Sequence, residues 1–255
     1  MGEIFMEKIR EMQLELVKMI EAVDNVFKEN GIQYFLVGGS VLGAIRHKGF
    51  IPWDDDMDIG IKRNQFERAE ELLASLKDYV YEPSDKHIIP DAPLGHLHLV
   101  NEVYPIENSP TLDVFALDGV PGNKQSWKKV KSLANWYHLA VLGRPAQNRG
   151  KLVKCATWLL LSVIPKNIWQ KIKNFTFQKL TSLDVSTAEC IANIWGAWGY
   201  KEFYPREMFD GSVDGEFEGL KLPLPANPDE YLTQMYGDYM TLPPVENRVP
   251  RHRTF

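Results

Sequence analysis

Two cysteines in 255 residues, Cys155 and Cys190, are too few for a disulfide framework, and their spacing is not that of a metal knuckle. Such a chain suits a reducing compartment, and its length lets it bury a core without covalent staples. A basic excess is missing too: 29 Lys and Arg stand against 34 Asp and Glu, a net charge of -5. That sets nucleic acid aside as the main partner, because neutralising phosphates takes a surplus of cations. Long apolar runs are also absent. The longest, "CATWLLLSVI" at 155–164, has ten residues, about half of what a bilayer crossing requires. It is expected to form a buried helix. The lysines around it (Lys151, Lys154, Lys166, Lys171 and Lys173) keep a membrane-surface contact as the alternative. The opening "MGEIFMEKIREMQLELVKMIEAV" carries charge throughout and so has no apolar leader core, and Met6 stands where a myristoylation site has Ser or Thr. The expected location is cytoplasmic, with the inner face of the membrane as a plausible working surface.

What remains has the composition of a folded globular protein, 44% apolar and 25% charged. Residues 4–29 place Ile9, Met12, Leu16, Met19, Ile20, Val23, Val26 and Phe27 at steps of three and four, which predicts an amphipathic helix ending at Asn30-Gly31. "IQYFLVGG" reads as a strand running into glycines, and "SVLGAIRHKG" as a short helix with Ser40 as its N-cap. Strands follow at "MDIGI", "HLHLV" and "TLDVFALDGV", with a helix from Asn64 between the first two. Helices are expected at about 124–142, 150–163 and 166–182, and short strands and loops over 190–222. "NPDEYLTQMYG" is a final helix capped by Asn227, with Pro228 in its first turn and Glu230 at the capping-box spacing. The fold class expected is α/β (α+β), a mixed-sheet core with flanking helices and a mostly helical C-terminal extension. Residues 1–122 would form the core and 123–255 the extension, with the helix at 227–237 packing back on the core.

"GFIPWDDDMDIGI", residues 49–61, concentrates charge in an unusual way. Alternate residues of a strand share a face, so Asp54, Asp56 and Asp58 lie on one side while Met57, Ile59 and Ile61 lie on the other. Asp55 has the core-side parity but follows Pro52-Trp53, before the strand begins. A solvated acidic turn would gain nothing from the apolar anchor. A divalent cation removes the repulsion, and Mg²⁺ takes a few carboxylate oxygens while keeping positions for water and phosphates. An EF-hand loop begun at Asp54 fails: it needs glycine sixth and glutamate twelfth, where the chain has Ile59 and Gln65. Asp113 sits between Leu112 and Val114, where a carboxylate is costly to bury unless paired or metal-bound. Asp118 reads as a turn residue before Gly119. His87, His96 and His98 raise a histidine zinc site as a minor alternative to side chains that face a cleft or solvent.

Upstream, Gly38-Gly39-Ser40 joins a strand to a helix, a geometry whose backbone N–H groups can approach a phosphate. Arg46, His47 and Lys48 then supply positive charge, Arg46 with a fork that matches phosphate. An exposed helix end explains His47 and Lys48 equally well. Strand, Gly-Gly-Ser, short helix and Asp-x-Asp on a second strand together resemble the layout of the nucleotidyltransferase superfamily, which implies a third carboxylate from a later strand, with Asp113 as the candidate.

The run "GGSVLGAIRHKGFIPWDDDMDIGI" resembles the signature of the LicD family of choline-phosphate transferases, which fukutin-related sugar-phosphate transferases share. "LDVFALD" and "YLTQMYGDYMTLPP" are similar to further family blocks. The resemblance implies transfer of phosphocholine, or another phospho-alcohol, from a CDP-linked donor such as CDP-choline. The acceptor would be a hydroxyl of a cell-surface glycan precursor (teichoic acid, lipopolysaccharide or capsule, lipid-linked), and CMP would leave. It implies Mg²⁺, with Mn²⁺ as a substitute, on Asp56, Asp58 and Asp113. Asp113 or Asp54 would act as base, Gly38, Gly39 and Ser40 would hold phosphate with His47 and Lys48 nearby, and Arg46 would stabilise developing charge. A quaternary ammonium calls for an aromatic box, and "NIWGAWGY", with Trp195, Trp198 and Tyr200, is the candidate; ordinary core packing is the competing account. Two other functions share these residues: transfer of a nucleoside monophosphate to a small molecule or protein, and a non-catalytic glycan-binding module.

Overall fold

The computed structural model describes residues 2–83, 94–145, 150–196 and 198–250. Helix α1 (Gly2–Glu29) ends where Gly31 turns to φ +66, as the Asn-Gly pair suggests. Its apolar stripe, from Ile9 to Phe27, is buried except for the half-buried Val26. Strand β1 (Tyr34–Leu36) leads into α2 (Gly38–His47), then β2 (Met57–Lys62), α3 (Arg63–Ala74), β3 (Val80–Glu82), β4 (Gly95–His98) and β5 (Thr111–Val120). Three helices follow, α4 (Lys124–Leu142), α5 (Lys151–Val163) and α6 (Lys166–Leu180). The chain then returns to strands β6 (Cys190–Asn193) and β7 (Phe203–Pro205), a hairpin β8 (Ser212–Phe217) and β9 (Leu220–Pro225), and the last helix α7 (Pro228–Tyr236). The Asn227 side chain accepts from the Glu230 N–H, the cap expected there.

The main sheet is mixed, as expected. β2 and β5 run parallel, flanked by antiparallel β1 on one side and by β4 and then β3 on the other. β5 is long enough for two partners along one edge: β4 pairs with its first half (111–114) and β6 with its second (117–120). β6 and β7 thereby carry the C-terminal half into the sheet, and the main core joins Leu16, Ile59 and Val114 to Tyr204, Phe217 and Tyr231.

Parity along β2 is as the sequence implies: Met57, Ile59 and Ile61 are fully buried, with Leu112 and Val114 beside them on β5. Three expectations are corrected. Ser40 is not the N-cap of α2; Val37 holds that position, and the buried Ser40 hydroxyl instead accepts from the Asp58 N–H at 2.9 Å. Asp118 is no turn residue: it lies within β5, fully buried, and takes Arg63 in a two-pronged ion pair at 2.6 and 3.0 Å. The apolar run at 155–164 does not form a buried helix. α5 buries no residue, and Trp158 is 61% exposed.

Candidate active site

The parallel register sets Asp58 of β2 directly opposite Asp113 of β5, so both side chains leave the sheet on the same face. Asp56, just before β2, completes a trio. Asp56, Asp58 and Asp113 each offer an oxygen, and these atoms lie within 4.8 Å of one another. The loop before the strand is pinned from behind by buried Gln13 of α1, whose amide donates to the carbonyls of Ile51 (3.2 Å) and Asp54 (2.9 Å). Asp54, Asp55 and Asp56 form a second group within the same distance, although Asp55 is fully buried.

The glycine pair makes room for these acids. Gly38 has φ +55, and a Cβ there would meet Asp58 Oδ2 at 2.6 Å; one at Gly39 would meet Asp54 Oδ2 at 3.0 Å. The expected phosphate cradle is therefore partly spent inside the protein. Gly38 N–H donates to the Tyr231 hydroxyl at 2.8 Å, and Ser40 N–H to the Val37 carbonyl at 3.1 Å. Gly38 and Gly39 line the cleft; Ser40 does not.

That cleft, of about 620 Å³, is walled by the aspartates, Glu202, Asp238 and Arg46, and by the rings of Trp53, Phe115, Trp198, Tyr236 and Tyr239. Arg46 reaches it with part of its fork already engaged, donating to His47 Nε2 (3.0 Å) and to the Tyr239 carbonyl (2.7 Å). Burial, and then Arg248, hold its pKa below the usual guanidinium value. His47 and Lys48 do not line the cleft. His47 packs edge-on to Trp53, and burial followed by Arg46 lowers its pKa. Lys48 is exposed and turns left-handed at φ 58 to end α2, the bland role a helix end allows.

The expected aromatic box does not assemble. Trp195 packs on Tyr137 in a second apolar cluster, and Tyr200 stacks on Trp127. Trp198 alone of the three faces the cleft, edge-on to Tyr236 at 5.3 Å. A different ring set surrounds the space. Its tyrosines lie in the C-terminal "YLTQMYGDYMTLPP" block, which carried a pattern but no assigned role. The zinc alternative also finds no support among the described residues. His96 Nδ1 pairs with Asp113 Oδ1 at 2.9 Å, and His98 sits buried against Ser109, Thr111 and Glu82, facing neither cleft nor solvent. His87 lies outside the described residues.

The field of the site is strongly negative. Burial first, then Asp56, Asp113, Asp54 and Glu202, push the Asp58 carboxyl well above the usual carboxylate range. Glu202, which sequence reading missed, is 4% exposed and is pushed up to about 7 by burial, against the lowering pull of the Trp198 N–H and Lys131. The metal-free fold therefore keeps a proton on Glu202 between about 4.5 and 7, where the unfolded chain has released it. Stability is fully present below that window and falls as pH rises through it. Glu202→Gln removes this slope, worth at most about 3 kcal/mol. Thermal unfolding of both proteins in chelator at pH 5 and pH 8 checks the sign.

Hard oxygen donors from β2, the residue before it and β5, crowded within 4.8 Å of one another, could hold a divalent cation. Residues 31–138 match the nucleotidyltransferase domain of LicD/FKTN/FKRP. Over these residues the chain is similar to the LicD family. It is 28% identical over 264 aligned positions, 96% of each chain, to the lipopolysaccharide cholinephosphotransferase LicD of Haemophilus influenzae. Over 50 residues it is 46% identical to the ribitol 5-phosphate transferase FKRP of mouse and of human, covering 20% of this chain and 10% of either relative. The LicD-type match spans the glycine pair, the aspartate run and Asp113. Glu202, Trp198 and Tyr236 fall beyond it.

Proposed function

We propose that this chain acts as a LicD-type transferase of phosphorus-containing groups that moves phosphocholine from a CDP-linked donor to a hydroxyl of a lipid-linked, cell-surface glycan precursor, with CMP leaving. The observation that carries the reading is the meeting of Asp56, Asp58 and Asp113 in a cleft whose other walls are aromatic rings and carboxylates. The rings and the acidic Asp238 suit a quaternary ammonium, which is drawn to π faces and negative charge. That agrees with the choline named for the Haemophilus relative.

Asp56, Asp58 and Asp113 would hold Mg²⁺, with Mn²⁺ able to replace it. Bound there, the ion supplies charge neutralisation on the donor diphosphate and on the departing CMP. His96 orients Asp113 through the 2.9 Å contact. Arg46 supplies the positive charge that meets the transferred phosphoryl group. Asp54, outside the Asp56–Asp58–Asp113 trio, takes the proton from the attacking hydroxyl. Most of the acceleration then comes from positioning and electrostatics.

Incubation with CDP-choline labelled either on choline or on cytidine tests the reaction. Choline label is expected in the glycan acceptor and cytidine label in CMP. Cytidine label in the acceptor would mean nucleotidyl transfer instead. Trp198→Ala, within the cleft lining, should raise KM for the choline donor about tenfold, whereas Tyr200→Ala, outside that lining, should leave it unchanged.

A further inference from the structure

Charge is distributed very unevenly along this chain. Between Asp118 and Asp184 there is no acidic residue, yet the same stretch carries twelve Lys or Arg, leaving 17 cations against 34 acids in the rest of the protein. That stretch contains the three helices α4 to α6. Within it, α5 buries nothing. Leu152, Leu159 and Val163, spaced seven and four apart, share one face and are 87%, 55% and 69% exposed. Trp158 is 61% exposed on the same helix, and α6 adds exposed Ile168 and Phe175. Lys151, Lys154, Lys166, Lys171 and Lys179 are exposed around them. No described helix is long and apolar enough to cross a membrane.

We propose that the α5 and α6 segment docks this protein on the surface of an anionic lipid bilayer, with the α5 apolar face dipping into the headgroup boundary and the flanking lysines on lipid phosphates. Lysines beside Leu and Trp on an amphipathic helix are the composition of an interfacial helix, and each cation adds attraction to an anionic leaflet. The other occupants fit less well. A second copy would set one acid-free cationic face against another. Nucleic acid would meet the lysines but would leave the aliphatic face without a use. The inference gives a purpose to the lipid-linked acceptor proposed above, and its test does not depend on that reaction.

The test is co-sedimentation of the full chain with vesicles of phosphatidylglycerol and of phosphatidylcholine. Binding to the anionic vesicles is expected, with a blue shift of tryptophan emission and loss of binding as salt rises. The double variant Leu152→Ser/Trp158→Ser should weaken that binding about tenfold, and the charge variant Lys151→Glu/Lys154→Glu should weaken it similarly. Both should keep the wild-type circular dichroism and, if the transfer reaction holds, wild-type turnover on a detergent-free, lipid-free acceptor. Equal partition to neutral vesicles, no binding to either, or unaltered binding by both variants would overturn the proposal. So would concentration-dependent dimerisation lost in the Leu152→Ser/Trp158→Ser protein, or tighter binding to duplex DNA than to the anionic vesicles. Loss of turnover with intact vesicle binding would count against the reaction alone.

Discussion

Asp58→Ala should lower kcat for choline-phosphate transfer by about a thousandfold or more, the scale of losing a central electrostatic group, while the protein stays folded. Asp58 is tied closely to the scaffold. Its N–H bonds Ser40, its carbonyl accepts from the Val37 N–H, and its carboxylate occupies the space left by the missing Cβ of Gly38. Burial and four neighbouring carboxylates already disfavour its charge. Removing it should therefore leave the metal-free protein as stable as wild type or more stable, with a melting temperature that is equal or higher. Activity loss accompanied by a lower melting temperature would mean that Asp58 serves the fold. Steady-state kinetics with calorimetric unfolding in chelator decides between the two. Asp56→Ala should behave alike in activity. His96→Ala is expected to be milder, since it touches the trio only through Asp113.

The second large effect concerns stability. Arg63→Met should cost about 3–5 kcal/mol, because it leaves the Asp118 carboxylate buried without its partner. Asp118 is fully inside the protein, and Arg63 reaches it from the first residue of α3 while its guanidinium also lies over Phe66 (5.0 Å) and Phe177 of α6 (5.6 Å). One side chain thus joins the end of β2, the end of β5 and the helical layer. Arg63→Met/Asp118→Leu should recover most of the loss, because replacing both ions by apolar groups removes the unpaired charge. Urea unfolding of the single and double variants measures it. If Arg63→Met shifts the midpoint by less than the equivalent of about 1 kcal/mol, the pair behaves as an exposed one.

The acidic face could be read from the sequence because a strand's period of two is local. Met57, Ile59 and Ile61 had to be buried, so Asp56 and Asp58 had to point away, and β5 repeats the logic around Asp113. Tertiary partners could not be read in the same way. Asp118 looks like a turn acid before glycine until β6 extends β5 and Arg63 arrives from 55 residues away. Gly38 and Gly39 signal close approach, but only the fold reveals that carboxylates make much of it. Trp195 and Tyr200 share a short segment with Trp198, yet the turn and 3₁₀ helix between β6 and β7 send the three rings to different neighbours. Glu202 carries no pattern at all; its importance lies in burial and in facing the aspartates across the cleft. The apolar run of α5 has the composition of core, and only the exposure of its side chains marks it as surface.

A titration of Mg²⁺ into the chelator-treated protein by isothermal calorimetry tests the central claim most directly. Wild type should take up the ion, more tightly with a cytidine diphosphate compound present, with protons released as Asp58 ionises, and Asp58→Ala should take up little or none. No uptake by wild type under either condition, or equal uptake by Asp58→Ala, would contradict the account.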